Sequence, residues 1–94
     1  MGILEVRLRD GRRVATIMLL FRDGRLQGES FSAGDIREVV GYGGVRFRVD
    51  VEGEERRLLT TRVEMRGGYA VFQDQSGEVH AVPLKRLAGL VAQE

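Results

Sequence analysis

The chain has 94 residues and a mass of 10.5 kDa, which is enough for one domain. Its 43% hydrophobic and 31% charged residues are typical of a globular protein, and no apolar run is long enough to cross a bilayer. The absence of cysteine excludes disulfides, thiolate catalysis, iron–sulfur clusters and cysteine-ligated zinc. With a single histidine as well, the sequence predicts a protein that is not an enzyme and has no metal or cofactor.

The charged residues are unusual in kind, although the formal net charge is only +1. Arginine supplies all the basic residues except Lys85, and asparagine is absent. A thermophilic source and a GC-rich genome each explain this composition. Residues 1–25 carry six arginines against three acidic residues, which permits an anionic partner. The start of the chain has no apolar signal segment, so we expect a cytoplasmic protein.

Apolar and polar residues alternate along most of the chain, which predicts β-strands. The alternation is clearest over residues 4–8 and 45–51. Asp-Gly pairs at 10–11 and 23–24 and the Gly-Gly pair at 67–68 separate apolar runs, as the turns of β-hairpins do. We therefore predict an all-β, mainly antiparallel fold.

Two short segments interrupt the alternation. Ser32-Ala33-Gly34-Asp35 has the form of a capping box, and Pro83 favours a helical turn at residues 84–86. Each segment predicts one turn of 3₁₀ or α-helix followed by a strand. Residues 78–84 resemble the end of SH3-like and Sm-like small barrels, in which a one-turn helix precedes the last strand.

The order of turns repeats along the chain. Residues 3–42 and 46–91 both read as strand, hairpin, strand, strand and short helix, with a repeat length of about 44 residues. In this alignment Thr16 matches Thr60 and Gly41 matches Gly89. Neither half can bury an apolar face alone, so we predict one domain over 1–94, a barrel or roll of about six strands with pseudo-twofold symmetry.

Alternation also predicts the core, which consists of the apolar residues on one face of each strand. These are Leu4, Val6, Leu8, Ile17, Leu19, Phe21, Leu26, Phe31, Ile36, Val39, Val45, Phe47, Val49, Leu59, Val63, Met65, Val71, Val82, Leu84 and Leu87. Residues 17–21 are apolar on both faces, so Met18 and Leu20 need a second cover. A helix would supply it, but we favour a homodimer through this strand.

Outward-facing arginines are the main candidates for binding. They are Arg7, Arg9, Arg46, Arg48, Arg62 and Arg66. On neighbouring strands they would form one guanidinium surface suited to phosphate and bases. The alternative is a set of cross-strand ion pairs, because acidic residues also face outward on these strands.

Two further features have a functional and a structural interpretation. Tyr42, in the glycine-rich segment 41–44, is a candidate for stacking on a base, whereas the glycines also suit a hinge between the two halves. His80 and Glu78 share a strand face and offer two metal ligands or a general base with its orienting group. The sequence points to no further ligand or nucleophile.

Two functions remain open. The first is a non-catalytic nucleic-acid-binding module, for RNA or DNA, that uses Tyr42 and the outward arginines. The second is a protein-interaction or structural module that associates with itself or with a protein partner. Neither predicts a membrane or small-molecule partner.

Overall fold

The computed structural model describes residues 2–93, so Met1 and Glu94 of the predicted domain lie outside the described residues. Eleven strands form two antiparallel sheets. The strands are β1 (Leu4–Leu8), β2 (Arg13–Thr16), β3 (Met18–Arg22), β4 (Arg25–Leu26), β5 (Ile36–Gly41), β6 (Phe47–Val51), β7 (Leu58–Thr60), β8 (Arg62–Arg66), β9 (Tyr69–Gln73), β10 (Val79–Pro83) and β11 (Leu87–Ala92). Single 3₁₀ turns span Ala33–Asp35, Tyr42–Gly44 and Leu84–Arg86. Across residues 2–93, no helix has the length and apolar character needed to span a membrane.

The two sheets enclose a single core between them. Sheet 1 has the strand order β10-β9-β8-β5-β1-β2, and sheet 2 has the order β4-β3-β11-β6-β7. The sheets do not close into one continuous barrel, and the fold is an antiparallel β-roll. The predicted all-β, antiparallel roll is confirmed.

There are more strands than predicted because two long runs change sheets. Residues 12–22 divide into β2 in sheet 1 and β3 in sheet 2, and residues 56–66 divide into β7 in sheet 2 and β8 in sheet 1. A threonine precedes each crossing. Thr16 Oγ1 donates to the Met18 carbonyl at 3.1 Å, and the one Thr60 hydroxyl proton is shared between the carbonyls of Arg62 at 3.1 Å and Gln73 at 2.9 Å. These local bonds satisfy carbonyls at the bend, where the strand ladder is interrupted.

The two halves have the same pairing pattern. From the edge inward, the order β2-β1-β5-β8-β9 matches β7-β6-β11-β3-β4. The first half contributes two strands, β3 and β4, to sheet 2, and the second half contributes three, β8, β9 and β10, to sheet 1. Ile36 opens β5 as Leu87 opens β11, each after a 3₁₀ turn. Gly41 therefore occupies the position of Ala92, and its predicted match to Gly89 is wrong. Duplication of one ancestral sequence stays a prediction.

Local sequence explains the turns. Asp23 and Gly24 both have positive φ, 51° and 78°, as a two-residue hairpin turn requires. At the predicted capping box, the Ser32 N–H donates to Asp35 Oδ2 at 2.9 Å and the Asp35 N–H donates to the Ser32 carbonyl at 3.0 Å. One 3₁₀ turn follows and then β5, so this prediction is confirmed.

Most of the predicted core residues are buried, but four are misplaced. Ile17 and Val45 are 47% and 42% exposed, because they lie between strands rather than within them. Leu59 is only half-buried and Leu58 takes its place in the core. Val71 is likewise only half-buried, and its neighbours in β9, among them Phe72, are buried in the core instead. Leu26 and Leu84 are partly buried against the core.

Candidate functional site

A continuous chain of alternating charges crosses four strands on the outer face of sheet 1. We call it the ion-pair ribbon; in spatial order it consists of Arg13, Glu5, Arg7, Glu38, Arg62, Glu64 and Arg66. Every neighbouring pair in it lies between 3.0 and 3.6 Å apart. The strand register explains this order, because Arg7 lies opposite Glu38 and Glu38 lies opposite Glu64.

Glu38 is the centre of the ribbon and is only 3% exposed, although it faces away from the core. Its Oε1 accepts from Arg62 Nε at 3.1 Å, and its Oε2 lies 3.5 Å from Arg7 Nη1 and 3.6 Å from Arg37 Nη1. Burial alone would raise the pKa of Glu38. The hydrogen bond from Arg62 and the three nearby guanidinium charges outweigh that effect, and the pKa lies below its ordinary value of 4.5.

The predicted single arginine surface does not form. Arg7, Arg62 and Arg66 belong to the ribbon in sheet 1, whereas Arg48 lies in β6 of sheet 2 and its Nε is 2.7 Å from Asp50 Oδ1. The reason is that β1 and β6 are equivalent strands of different sheets, not neighbours. Ion pairs, the alternative interpretation of the outward arginines, are present in the structure at Arg7, Arg48, Arg62 and Arg66.

Arg9 and Arg46 lie outside the ribbon. The Arg9 guanidinium donates to the carbonyls of Gly34 and Met65, both at 3.0 Å, and so ties the end of β1 to two other segments. Arg46 is exposed immediately before β6, and within residues 2–93 its guanidinium has no ion pair.

Tyr42 is 65% exposed at a 3₁₀ turn between β5 and β6. It borders a shallow groove whose lining also includes Glu5, Arg7 and Arg62. The structure thus brings the predicted aromatic residue together with two of the six predicted arginines. Gly41, at the end of β5, has a packing role, because a Cβ there would lie 1.8 Å from the Val45 carbonyl oxygen.

The outer face of sheet 2 differs sharply from the ribbon. Met18 and Leu20 are 43% and 47% exposed on β3, and Met18 pairs with Val91 of β11. Leu20 pairs with Gly89, which presents no side chain. No helix of residues 2–93 covers these side chains, since the helices there are single 3₁₀ turns. We call Met18, Leu20 and Val91 the apolar face.

A third cluster lies at the turn between β9 and β10. His80 Nε2 is 2.7 Å from Asp74 Oδ2 and 3.5 Å from Glu78 Oε2. The His80 ring stacks on Phe72 with 4.9 Å between centroids. The bond with His80, together with those from Ser76, holds the pKa of Asp74 well below its ordinary value. Sequence reasoning singled out His80 and Glu78 but missed Asp74, because aspartate in a turn is ordinary.

The cluster lacks the arrangement of a nucleophilic site. The Ser76 hydroxyl donates to Asp74 Oδ1 at 2.7 Å, so it is held by the carboxylate and not by the imidazole. A serine activated by histidine needs a direct hydrogen bond between the two side chains.

Comparison with known proteins gives no family for the chain: no protein family, curated protein or solved structure matches it.

Proposed function

We propose that this protein is a non-catalytic interaction domain that self-associates through the apolar face. The observation that carries the proposal is a contrast between equivalent positions of the two sheets. Met18 follows Thr16 as Arg62 follows Thr60, with the same threonine hydrogen bonds, so Met18 and Leu20 correspond to Arg62 and Glu64. The same surface positions are charged in sheet 1 and apolar in sheet 2.

A second copy of the chain suits this face. Two apolar faces related by a twofold axis would cover each other, which is the commonest arrangement of small oligomers. The half-exposed pair of Arg48 and Asp50 borders the apolar side chains, and an apolar centre with a charged rim is typical of protein interfaces. We also propose that the protein resides in the cytoplasm. A thermophilic source stays a prediction.

The test is the oligomeric state measured by light scattering and sedimentation at concentrations up to about 100 μM. We expect a dimer that Met18→Glu and Leu20→Glu each convert to a monomer with unchanged circular dichroism. Tyr69→Glu is the matched control, because Tyr69 is as exposed as Leu20, at 47%, but lies in sheet 1. A wild-type monomer at every concentration, or dimers in both variants, would contradict the proposal.

Nucleic-acid binding remains a second candidate on one specific observation. Tyr42, Arg7 and Arg62 border the same groove, which combines a stacking surface with two guanidinium groups. The partners of these arginines weaken the case, because Glu5, Glu38 and Glu64 already neutralise them.

Nucleic-acid binding is tested by fluorescence anisotropy with labelled single-stranded and duplex oligonucleotides at two salt concentrations. Binding through the groove would weaken steeply with salt and fall in Tyr42→Ala, while Tyr69→Ala would bind as the wild type does. No binding at low salt would eliminate it.

A further inference from the structure

We propose that Asp74, Glu78 and His80 form a binding site for a divalent first-row metal ion such as Zn²⁺. One imidazole nitrogen and two carboxylate oxygens are a donor set that such ions accept. All three donor atoms lie within 4.8 Å of one another. The site is separate from the apolar face and does not depend on self-association.

The spacing of the donors is close to what a metal ion requires. Ligand distances of about 2.0–2.2 Å put neighbouring donors about 2.8–3.1 Å apart in octahedral geometry and about 3.3–3.6 Å apart in tetrahedral geometry. His80 Nε2 lies 2.7 Å from Asp74 Oδ2, just under the octahedral spacing, and 3.5 Å from Glu78 Oε2, which matches the tetrahedral spacing. A bound ion would replace the hydrogen bond between His80 and Asp74, and the Glu78 side chain would move so that its donor atom, which lies within 4.8 Å of that of Asp74, reaches the same spacing.

The Asp74 carboxylate is already oriented for this role. Its Oδ1 accepts three hydrogen bonds, from the Ser76 N–H at 2.8 Å, the Ser76 hydroxyl at 2.7 Å and the Glu78 N–H at 3.0 Å. These bonds leave Oδ2 directed at His80, and the Asp74 side chain is only 3% exposed. Hydrogen bonds that fix the ligands from outside are a regular feature of protein metal sites.

The His80 ring is also held in place. It stacks on Phe72 at an interplanar angle of 16°, and its side chain is 13% exposed. Glu78 is the most exposed of the three ligands, at 53%, so its side chain has room to adjust. The three residues thus form a site with two fixed ligands and one that can adjust, and water would complete the coordination.

Arg56 competes with the metal for Glu78. Its Nη1 lies 3.1 Å from Glu78 Oε2, and its positive charge opposes a cation. Removing that charge in Arg56→Gln should therefore tighten metal binding several-fold. If the cluster were only structural, Arg56→Gln would not tighten metal binding. The tighter binding therefore distinguishes a metal site from a structural cluster.

The test uses untagged full-length protein and Zn²⁺ alone. Because His80 is the only histidine, its ring proton Hε1 gives one NMR signal that no other histidine overlaps and that reports on the site. We expect this signal to shift with added Zn²⁺ and to saturate at one equivalent. Calorimetry should give the same stoichiometry, and the melting temperature should rise.

Variants then assign the ligands. Asp74→Asn keeps an oxygen acceptor for the turn and loses the charged ligand, so binding should weaken at least tenfold in it, as in His80→Gln and Glu78→Gln. Glu64→Gln, a carboxylate in the ion-pair ribbon, is the matched control and should bind as the wild type does. A His80 signal that does not move with Zn²⁺ in excess would overturn the proposal. Unchanged affinity in Asp74→Asn and Glu78→Gln would overturn it as well, because His80 alone would then bind the ion.

Discussion

The side-chain amide of Gln75 lies alongside Leu59 as an additional strand would. Gln75 Oε1 accepts from the Leu59 N–H at 2.8 Å, and Gln75 Nε2 donates to the Arg57 carbonyl, also at 2.8 Å. Since β7 is the last strand of sheet 2, these two bonds occupy backbone groups that would otherwise be open at a sheet edge. One side chain therefore protects the edge from pairing with another molecule.

We expect Gln75→Ala to lower the free energy of unfolding by about 1 kcal/mol and to increase aggregation. The stability loss comes from two side-chain hydrogen bonds, and the aggregation comes from the exposed edge of β7. Denaturation with urea measures the first effect and light scattering after heating measures the second. Gln27→Ala is the control, because the Gln27 side chain bonds, within residues 2–93, only to the nearby Arg25 carbonyl, and the substitution should change neither.

Glu38 is expected to be the most important member of the ion-pair ribbon for stability. Glu38→Gln removes the carboxylate that three guanidinium groups share, although Arg7 keeps Glu5 and Arg62 keeps Glu64, and should cost about 1–3 kcal/mol in denaturant unfolding. Glu64→Gln should cost less than about 1 kcal/mol, because the Glu64 side chain is 33% exposed and solvent screens its ion pairs. Equal losses in the two variants would show that burial of Glu38 adds nothing.

The same carboxylate predicts a dependence on pH. Because the pKa of Glu38 is lower in the folded state than its ordinary value of 4.5, the unfolded chain takes up the proton first as the pH falls. The stability contributed by ionised Glu38 is therefore complete above pH 4.5 and is lost as the pH falls through the folded-state pKa. The difference in unfolding free energy between wild type and Glu38→Gln should shrink over that interval. A constant difference would mean that the charge of Glu38 does not contribute.

Gly41→Ala should destabilise the fold more than most glycine-to-alanine substitutions in this chain. A Cβ there would lie 1.8 Å from the Val45 carbonyl oxygen and 2.8 Å from its carbon, so the backbone of the turn must move. We expect a loss of about 3 kcal/mol or more. Gly34→Ala has its nearest neighbour at 3.8 Å and should change stability by less than about 1 kcal/mol. Thermal unfolding of the two variants compares them directly.

The sequence predicted those features of the fold that depend on residues close together in the chain. Strand alternation, the Asp23-Gly24 turn and the capping box at Ser32 are local features, and all are present in the structure. The crossings of the chain between sheets at Ile17 and Thr61 were missed. At the second crossing the buried positions shift from Leu58 and Thr60 to Val63 and Met65, but Leu59 is also apolar, so the sequence hides the shift.

Features that depend on distant residues could not be read in the same way. Glu38 looks like an exposed strand residue until arginines from β1, β5 and β8 surround it. Asp74 becomes a partner of His80 only when β9 and β10 pair. The arginine surface failed for the same reason, since alternation gives the face of a strand but not the sheet to which it belongs.

The exchange of strands between the halves also constrains how the chain folds. β3 pairs with β11, and β5 pairs with β8, so each sheet is completed by residues far away in the sequence. Such non-local pairing places folding in the millisecond-to-second range, roughly, rather than in microseconds. A fragment ending between β5 and β6 would hold two incomplete sheets with their apolar surfaces uncovered. Because β11 lies between β3 and β6, synthesis must reach β11 before sheet 2 can be completed.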